Sequence, residues 1–107
     1  MTRRKKDIIQ LIRQKVNEID NTAEIILYGS RARGDNKRDS DWDLMILLKR
    51  NNVDKRVEQT FRHHLFDLEL ETGIPISVLV YSKFDWENKY SVTPLFKSVN
   101  EEGIRIS

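Results

Sequence analysis

The chain has 107 residues, of which 38% are hydrophobic and 34% are charged, with four glycines, two prolines and no cysteine. This composition excludes collagen-like, mucin-like and low-complexity proteins, and the length predicts a single domain over residues 1–107. Without cysteine there are no disulfides and no thiolate ligands, so any metal would need oxygen or imidazole ligands. The net charge of +2 is too small to drive nucleic-acid binding by itself.

Apolar runs such as Met45 to Leu48 are too short to cross a membrane, because a membrane-spanning helix needs about 20 apolar residues. The basic start, Arg3 to Lys6, leads into an amphipathic pattern rather than the apolar core of a signal peptide. We therefore expect a soluble, cytoplasmic protein without a membrane partner.

The first part of the chain predicts a helix and two strands. Apolar residues spaced four, four and three apart predict an amphipathic helix that begins near Ile8 and ends at Asp20 and Asn21. The runs 24–28 and 42–48 are apolar but too short for buried helices, so they predict interior strands. This order is typical of the start of an α/β protein.

The middle of the chain predicts a long helix and a third strand. Apolar residues from Val53 to Leu68 recur every three or four positions, and Gly73 supplies a helix end just before Pro75. Residues 76–81 are β-branched and apolar enough for a strand.

The last part of the chain predicts two short helical segments. Ser82 to Asp85 has the spacing of a capping box. Thr93 and Pro94 predict the start of a helix that runs to about Glu102. Residues 104–107 then form a tail or a small edge strand. Together the elements predict an α/β (α+β) fold.

A polar segment between the first two predicted strands differs from the rest of the chain. Gly29 and Ser30 stand where the first strand gives way to a helical turn. Free backbone N–H groups at such a turn bind anions, glycine lets a phosphate approach closely, and the Ser30 hydroxyl adds a donor. This pattern predicts a phosphate site.

Asp41 and Asp43 stand at the start of the second predicted strand. Because they are two residues apart, both side chains project from one face, roughly 6 to 7 Å apart along the strand. Two carboxylates together with phosphate oxygens suit Mg²⁺, and such ions stabilise the oxygens of an in-line displacement. We therefore predict that Asp41 and Asp43 are the metal ligands and the catalytic residues.

Taken alone, the Gly-Ser pair and the two aspartates are each weak evidence for function. Gly-Ser pairs often form plain turns, and alternating aspartates often lie in solvated loops. A loop of only ten residues, 31–40, joins the two halves here. It brings the predicted phosphate site and the carboxylates to the same end of neighbouring strands. This proximity favours a functional site over a plain turn and a solvated loop.

The same segment resembles the signature of the DNA polymerase β-like nucleotidyltransferase superfamily, specifically its minimal nucleotidyltransferase branch. In that branch Gly-Ser, ten residues and Asp-x-Asp recur, as they do in Gly29-Ser30 and Asp41-Trp42-Asp43. The finer patterns Gly-Ser-x-Ala-Arg-Gly and Ser-Asp-x-Asp-Leu are matched by residues 29–34 and 40–44.

The resemblance implies a mixed sheet flanked by helices in a polymerase β-like fold. It also implies transfer of a nucleoside monophosphate from a magnesium nucleotide, with ATP as the expected nucleotide, to a hydroxyl, with pyrophosphate leaving. Minimal units of this family pair with helical HEPN-domain proteins as antitoxin and toxin, which suggests a tyrosine hydroxyl of such a partner as the acceptor. A second copy of the chain is the other expected source of the acceptor surface.

One departure from the family concerns a third carboxylate, which its members usually carry on the strand after the second helix. Ser77 occupies the position that we align with it. Glu69, Glu71, Asp85 or a partner protein would then have to supply the missing oxygen. The alternative is a catalytically impaired module that binds a nucleotide or neutralises a partner.

Basic residues near the motif allow two interpretations. Arg31 and Arg33 follow the predicted phosphate site, and their guanidinium groups suit phosphate, although a solvated or fold-stabilising role is equally open. The cluster from Arg3 to Lys6 and the pair Lys37-Arg38 could contact an acidic partner, but such clusters are usually solvated. No basic stretch is interleaved with aromatic residues, so nucleic-acid binding ranks third among the functions.

The sequence predicts structural roles for four further residues. Gly34 is expected to end the helical turn in a left-handed conformation, and Trp42 is expected in the core. His63 and His64 lie beside apolar helical positions without a partner at metal-ligand spacing, which favours a surface or structural role.

Overall fold

The computed structural model describes residues 5–107, so Arg3 and Arg4 of the basic cluster lie outside the described residues. The elements in chain order are α1 (Lys5–Ile19), β1 (Glu24–Tyr28), α2 (Ser30–Arg33), β2 (Trp42–Leu48), α3 (Lys55–Thr72), β3 (Ile76–Ser82), α4 (Lys83–Asn88), α5 (Pro94–Glu102) and β4 (Ile104–Arg105).

The four strands form one mixed sheet in the order β3-β2-β1-β4. β1 is antiparallel to both β2 and β4, whereas β2 and β3 are parallel. The mixed sheet flanked by helices that the resemblance implied is therefore confirmed. The chain's last predicted segment is an edge strand rather than a free tail, since Ile104 and Arg105 pair with β1.

The two faces of the sheet are covered by different helices. α1 and α3 bury one face, where the even-numbered residues of β2, from Trp42 to Leu48, enter the larger core cluster. α4 and α5 cover the other face, where Met45 and Leu47 contact Trp86 and Val99. The odd-numbered side chains of β2, including Asp43, therefore lie on the α4 and α5 face.

Local hydrogen bonds explain where the helices begin and end. The side chains of Asp54, Ser82 and Thr93 each accept a hydrogen bond from a backbone N–H of the following helix. Gly73 ends α3 with φ +71, which glycine adopts more readily than other residues. The predicted helix starts and the Gly73 end are confirmed, and among the described residues α1 already includes Lys5, three positions before Ile8.

Within residues 5–107, no helix combines the length and the apolar character that a membrane crossing requires.

Candidate functional site

The sheet brings the predicted site residues to one of its ends. Tyr28, the last residue of β1, pairs with Asp43, and Asp43 pairs on its other side with Ser77 of β3. Because β1 runs antiparallel to β2, its carboxyl end meets the amino ends of β2 and β3. The polar turn after β1 and the aspartates therefore lie side by side.

Gly29 has a backbone conformation and surroundings that exclude a side chain. Its φ of +75° and ψ of −158° fall in a region that is essentially restricted to glycine. A Cβ atom at this position would overlap Oδ2 of Asp43. The predicted phosphate turn and the predicted metal ligand are thus in direct contact.

The turn α2 is short and closed by its own hydrogen bonds. The backbone N–H groups of Ala32 and Arg33 donate to the Gly29 carbonyl at 3.1 and 3.0 Å. The N–H groups of Ser30 and Arg31 precede these bonds and lie at the open start of the turn. Gly34 ends the turn with φ +84°, which confirms its predicted left-handed conformation.

The two aspartates and Ser77 face the same space. The Ser77 hydroxyl donates to Oδ2 of Asp41 at 3.4 Å. Burial, and next the negative charge of Asp41, raise the pKa of Asp43, while the charge of Arg33 acts in the opposite direction. A bound cation would relieve the repulsion between the two carboxylates. The oxygens of Asp41 and Asp43 therefore suit Mg²⁺, which would take its remaining ligands from phosphate and water.

The sequence left several sources open for a third carboxylate. Glu69 Oε1 accepts a hydrogen bond from the Ile76 N–H at 2.5 Å, which directs it to the start of β3. Asp85 follows the opposite end of β3, and that end is about 16 Å along the strand from Ser77. Across residues 5–107 no three His, Cys, Asp or Glu side chains gather in a group able to hold a metal.

Arg31 is engaged by the loop that joins β1 to β2. Its Nε and Nη2 donate to the Ser40 carbonyl at 3.0 and 2.8 Å, and Nη2 also donates to the Arg38 carbonyl at 3.3 Å. Its guanidinium lies 5.0 Å from the centre of the Trp42 ring. These contacts favour the fold-stabilising interpretation of Arg31 and leave its phosphate role a prediction.

Arg33 is held differently, by carboxylates on two sides. Nε contacts Asp35 at 3.1 Å and Nη1 contacts Glu102 of α5 at 3.0 Å. Its charge nevertheless influences Asp43, so the guanidinium lies within electrostatic range of the carboxylate pair. This position is compatible with the predicted phosphate contact.

Two residues of the site were not predicted from the sequence. Burial, and next the charge of Asp43, raise the pKa of Tyr28 to about 12, so a neutral phenol stands beside the carboxylates. In the sequence, the position of Tyr28 directly before Gly29 could have indicated that it belongs to the site. Glu102, the partner of Arg33, is 69 residues away in sequence, and no local pattern could have indicated it.

The remaining sequence predictions concern residues away from the carboxylates. Trp42 is buried in the α1 and α3 core, as expected. His64 of α3 contacts Glu18 of α1 at the surface, with Nε2 2.6 Å from the carboxylate. The two residues are 46 positions apart, so no local pattern indicated this pair.

We expect Gly29→Ala to lower the free energy of unfolding by about 2 to 3 kcal/mol, because alanine disfavours this backbone region and its Cβ would displace the Asp43 carboxylate. Urea unfolding measures the loss. Gly34→Ala is the matched control, since its φ is also positive but nothing lies within 4 Å of the added Cβ; it should lose only about 1 kcal/mol. Equal losses would contradict the contact between residue 29 and Asp43.

Asp43→Asn should stabilise the metal-free protein at neutral pH by about 0.5 kcal/mol, allowing for solvent screening. The pKa of Asp43 is raised by folding, so the parent loses stability relative to the variant as pH rises from the unfolded pKa, about 3.9, through the folded pKa. Thermal unfolding across this range, with chelator present, should show the two proteins equal in acid and diverging above it. A variant less stable at neutral pH would show that the attraction of Arg33 outweighs burial and the repulsion of Asp41.

Comparisons with known proteins agree with this arrangement. The sequence profile described as nucleotidyltransferase domain matches residues 9–105. No curated protein matches the chain significantly.

Three solved structures share the fold at low sequence identity. A toxin–antitoxin crystal structure with AMP-PNP has a TM-score of 0.68 and 17% identity, with 92% of this chain and 72% of that chain covered. A structure described as a minimal nucleotidyltransferase has a TM-score of 0.58 and 18% identity over 92% of both chains. A mutant of the toxin–antitoxin MntA-HpeT has a TM-score of 0.58 and 18% identity, with 97% and 72% covered.

The profile spans nearly the whole chain, and the fold neighbours include a minimal nucleotidyltransferase. The residues that the profile matches include the Gly-Ser turn, the paired aspartates and the strand that carries Ser77. The chain therefore belongs to the nucleotidyltransferase domain family.

Proposed function

We propose that this protein binds a magnesium nucleoside triphosphate and transfers its nucleoside monophosphate to a hydroxyl group. The observation that carries the proposal is the contact between Gly29 and Asp43, where the absent Cβ leaves space that the carboxylate occupies. A phosphate that approaches the turn at Gly29 and Ser30 would therefore lie beside the carboxylates, which is the arrangement that phosphoryl transfer with Mg²⁺ needs.

Each residue of the site has a part in this proposal. Gly29 and Ser30 bind the phosphates through backbone N–H groups and the Ser30 hydroxyl. Asp41 and Asp43 hold Mg²⁺, which when bound neutralises the phosphates and the leaving pyrophosphate. Arg33 adds positive charge near the same phosphates.

The proposed reaction balances as a substitution at the α-phosphorus. The acceptor oxygen forms a bond to this phosphorus, and the bond from the α-phosphorus to the oxygen bridging it to the β-phosphorus breaks. Pyrophosphate leaves with that oxygen, and the acceptor proton passes to a basic oxygen at the site.

We propose a protein as the acceptor and ATP as the nucleotide. Two of the fold neighbours are toxin–antitoxin structures, one of them with AMP-PNP. A HEPN-type toxin that presents a tyrosine hydroxyl fits the proposal, with this chain as the antitoxin.

Transfer is tested with ATP labelled either in its α-phosphate or in its γ-phosphate. The protein is incubated with Mg²⁺ and either a purified HEPN-type candidate or a lysate of its own organism. The proposal expects protein-bound label from the α-labelled nucleotide only, and no label with the Asp41→Asn, Asp43→Asn double variant. Label from the γ-phosphate would indicate a kinase. If neither ATP nor any of the other three α-labelled nucleoside triphosphates left label on a protein, transfer would be contradicted.

A second candidate function is a nucleotide-binding module that neutralises its partner without transfer. The position of Ser77 favours it, since Ser77 pairs directly with Asp43 and its hydroxyl contacts Asp41. A serine adds no charge to the metal site at this position. Magnesium-dependent nucleotide binding without any label transfer would select this candidate.

A further inference from the structure

β3 leaves one side of the sheet open. It is an edge strand, and in the part of the chain that the structure describes it has a strand on one side only. Its seven residues, Ile76–Ser82, include neither a charged residue nor a proline. Proteins usually protect such an edge with charge, proline, a bulge or a covering element, because an uncharged edge pairs readily with another strand.

The backbone groups available at this edge follow from the register. The Trp42 N–H donates to the Pro75 carbonyl at 2.9 Å. Since hydrogen bonding alternates along parallel strands, Ser77 then points its backbone groups toward β2, while Val78 and Val80 point theirs outward. The outward N–H of Ile76 is already bonded to Glu69, so along the middle of this edge the N–H groups open to a partner are those of Val78 and Val80. The outward carbonyls are those of Ile76, Val78 and Val80.

α3 provides a second layer beside this edge. Phe66 is 51% exposed although it is a large apolar residue. Together with Arg62, Glu69, Ser77 and Val78 it lines a groove along β3, which we call the β3 groove. An added strand could therefore bond to the sheet edge and bury Phe66 at the same time.

The charges of the β3 groove are self-complementary. The bond between Glu69 and Ile76 places Glu69 at the start of β3, so α3 and β3 run in opposite directions and Arg62 lies toward the other end, with Phe66 between them. A two-fold axis at Phe66 would set Arg62 of one copy, which also contacts Glu58 of its own helix at 2.7 Å, opposite Glu69 of the other. It would also set each Phe66 against its counterpart. The same axis would make the two β3 strands antiparallel.

We propose that two copies of this chain pair through the β3 groove, joining their sheets into one of eight strands. The contact is small, because Phe66 lies beside the first half of β3 and a two-fold axis there aligns only about five residues of each strand, about 16 Å. A sheet and helix layer together are about 20 Å deep, so the contact buries roughly 650 Å² in total, below the size of a standard stable interface. The dimer should consequently form and dissociate with concentration.

Sedimentation of the full chain over a range of concentrations tests the dimer. Phe66→Lys and Phe66→Glu each place like charges across the two-fold axis, and each should weaken self-association at least tenfold. Because the two variants carry opposite charges at the same place, their mixture should form a heterodimer. Circular dichroism verifies that both variants remain folded, as expected for a half-exposed position.

Val92→Glu is the matched control, because Val92 is 89% exposed, lies in the connection between α4 and α5, and should leave the dimer unchanged. Hydrogen exchange adds an independent measurement. The amide protons of Val78 and Val80 should exchange more slowly as concentration rises, whereas that of Leu79, already bonded within the sheet, should not change.

Three results would overturn the proposal. These are a monomer at every concentration, a dimer that both Phe66 variants leave intact, and two monomeric variants whose mixture fails to pair. Protection of Val78 and Val80 only by another protein would assign the edge to a different partner. None of these measurements uses nucleotide, so the dimer can fail while the proposed transfer stands.

Discussion

Replacing both Asp41 and Asp43 with Asn should remove the magnesium-dependent part of nucleotide binding. Without the carboxylates the ion loses its protein ligands, and the triphosphate meets no compensating charge at this end of the sheet. We expect affinity for the magnesium nucleotide to fall at least about 100-fold, since loss of a supporting residue alone often costs 10- to 100-fold. Calorimetry with ATP, with and without Mg²⁺, measures the effect.

Asp39→Asn is the matched control for this double variant, because Asp39 is an exposed carboxylate in the same loop. It should bind as the parent does. If the double variant also bound as tightly as the parent, with and without Mg²⁺, the metal and phosphate sites would have to be placed elsewhere.

Ser77→Asp should strengthen metal binding and raise the rate of nucleotidyl transfer. Ser77 lies beside Asp43 in the register and its hydroxyl is 3.4 Å from Asp41, so an aspartate here would add a third oxygen ligand. A further ligand helps to hold the second ion and to orient the acceptor hydroxyl. We expect Mg²⁺ affinity to rise about tenfold and transfer to rise about 100-fold, within the range for one positioned group.

Stability provides a second measurement for this variant. A third carboxylate next to Asp43 increases like-charge repulsion, so Ser77→Asp should unfold at a lower temperature than the parent without metal and regain stability when Mg²⁺ is added. Ser77→Asn has a similar size without the charge and should show neither effect. Vigorous transfer by the parent that Glu69→Gln abolishes would instead identify Glu69 as the third carboxylate.

The sequence by itself determined most of the elements, because their signals are local. The apolar spacing of α1 and α3, the capping of α4 by Ser82 and the left-handed ends at Gly34 and Gly73 all depend on residues within one or two turns. Hydrogen bonds of this kind close over three or four positions. The ten-residue spacing between the Gly-Ser turn and the aspartates likewise indicated the family from the sequence alone.

Only the tertiary structure decided how the site is composed, because its contacts join residues far apart in the chain. Ser77 and Asp41 are 36 positions apart, and Arg33 and Glu102 are 69 apart. Local sequence patterns cannot fix the register of β2 and β3, since that register depends on how α3 packs against the sheet and returns the chain to it. The positive φ of Gly29 and the open edge beside Val78 and Val80 are decided in the same way, by which strands become neighbours.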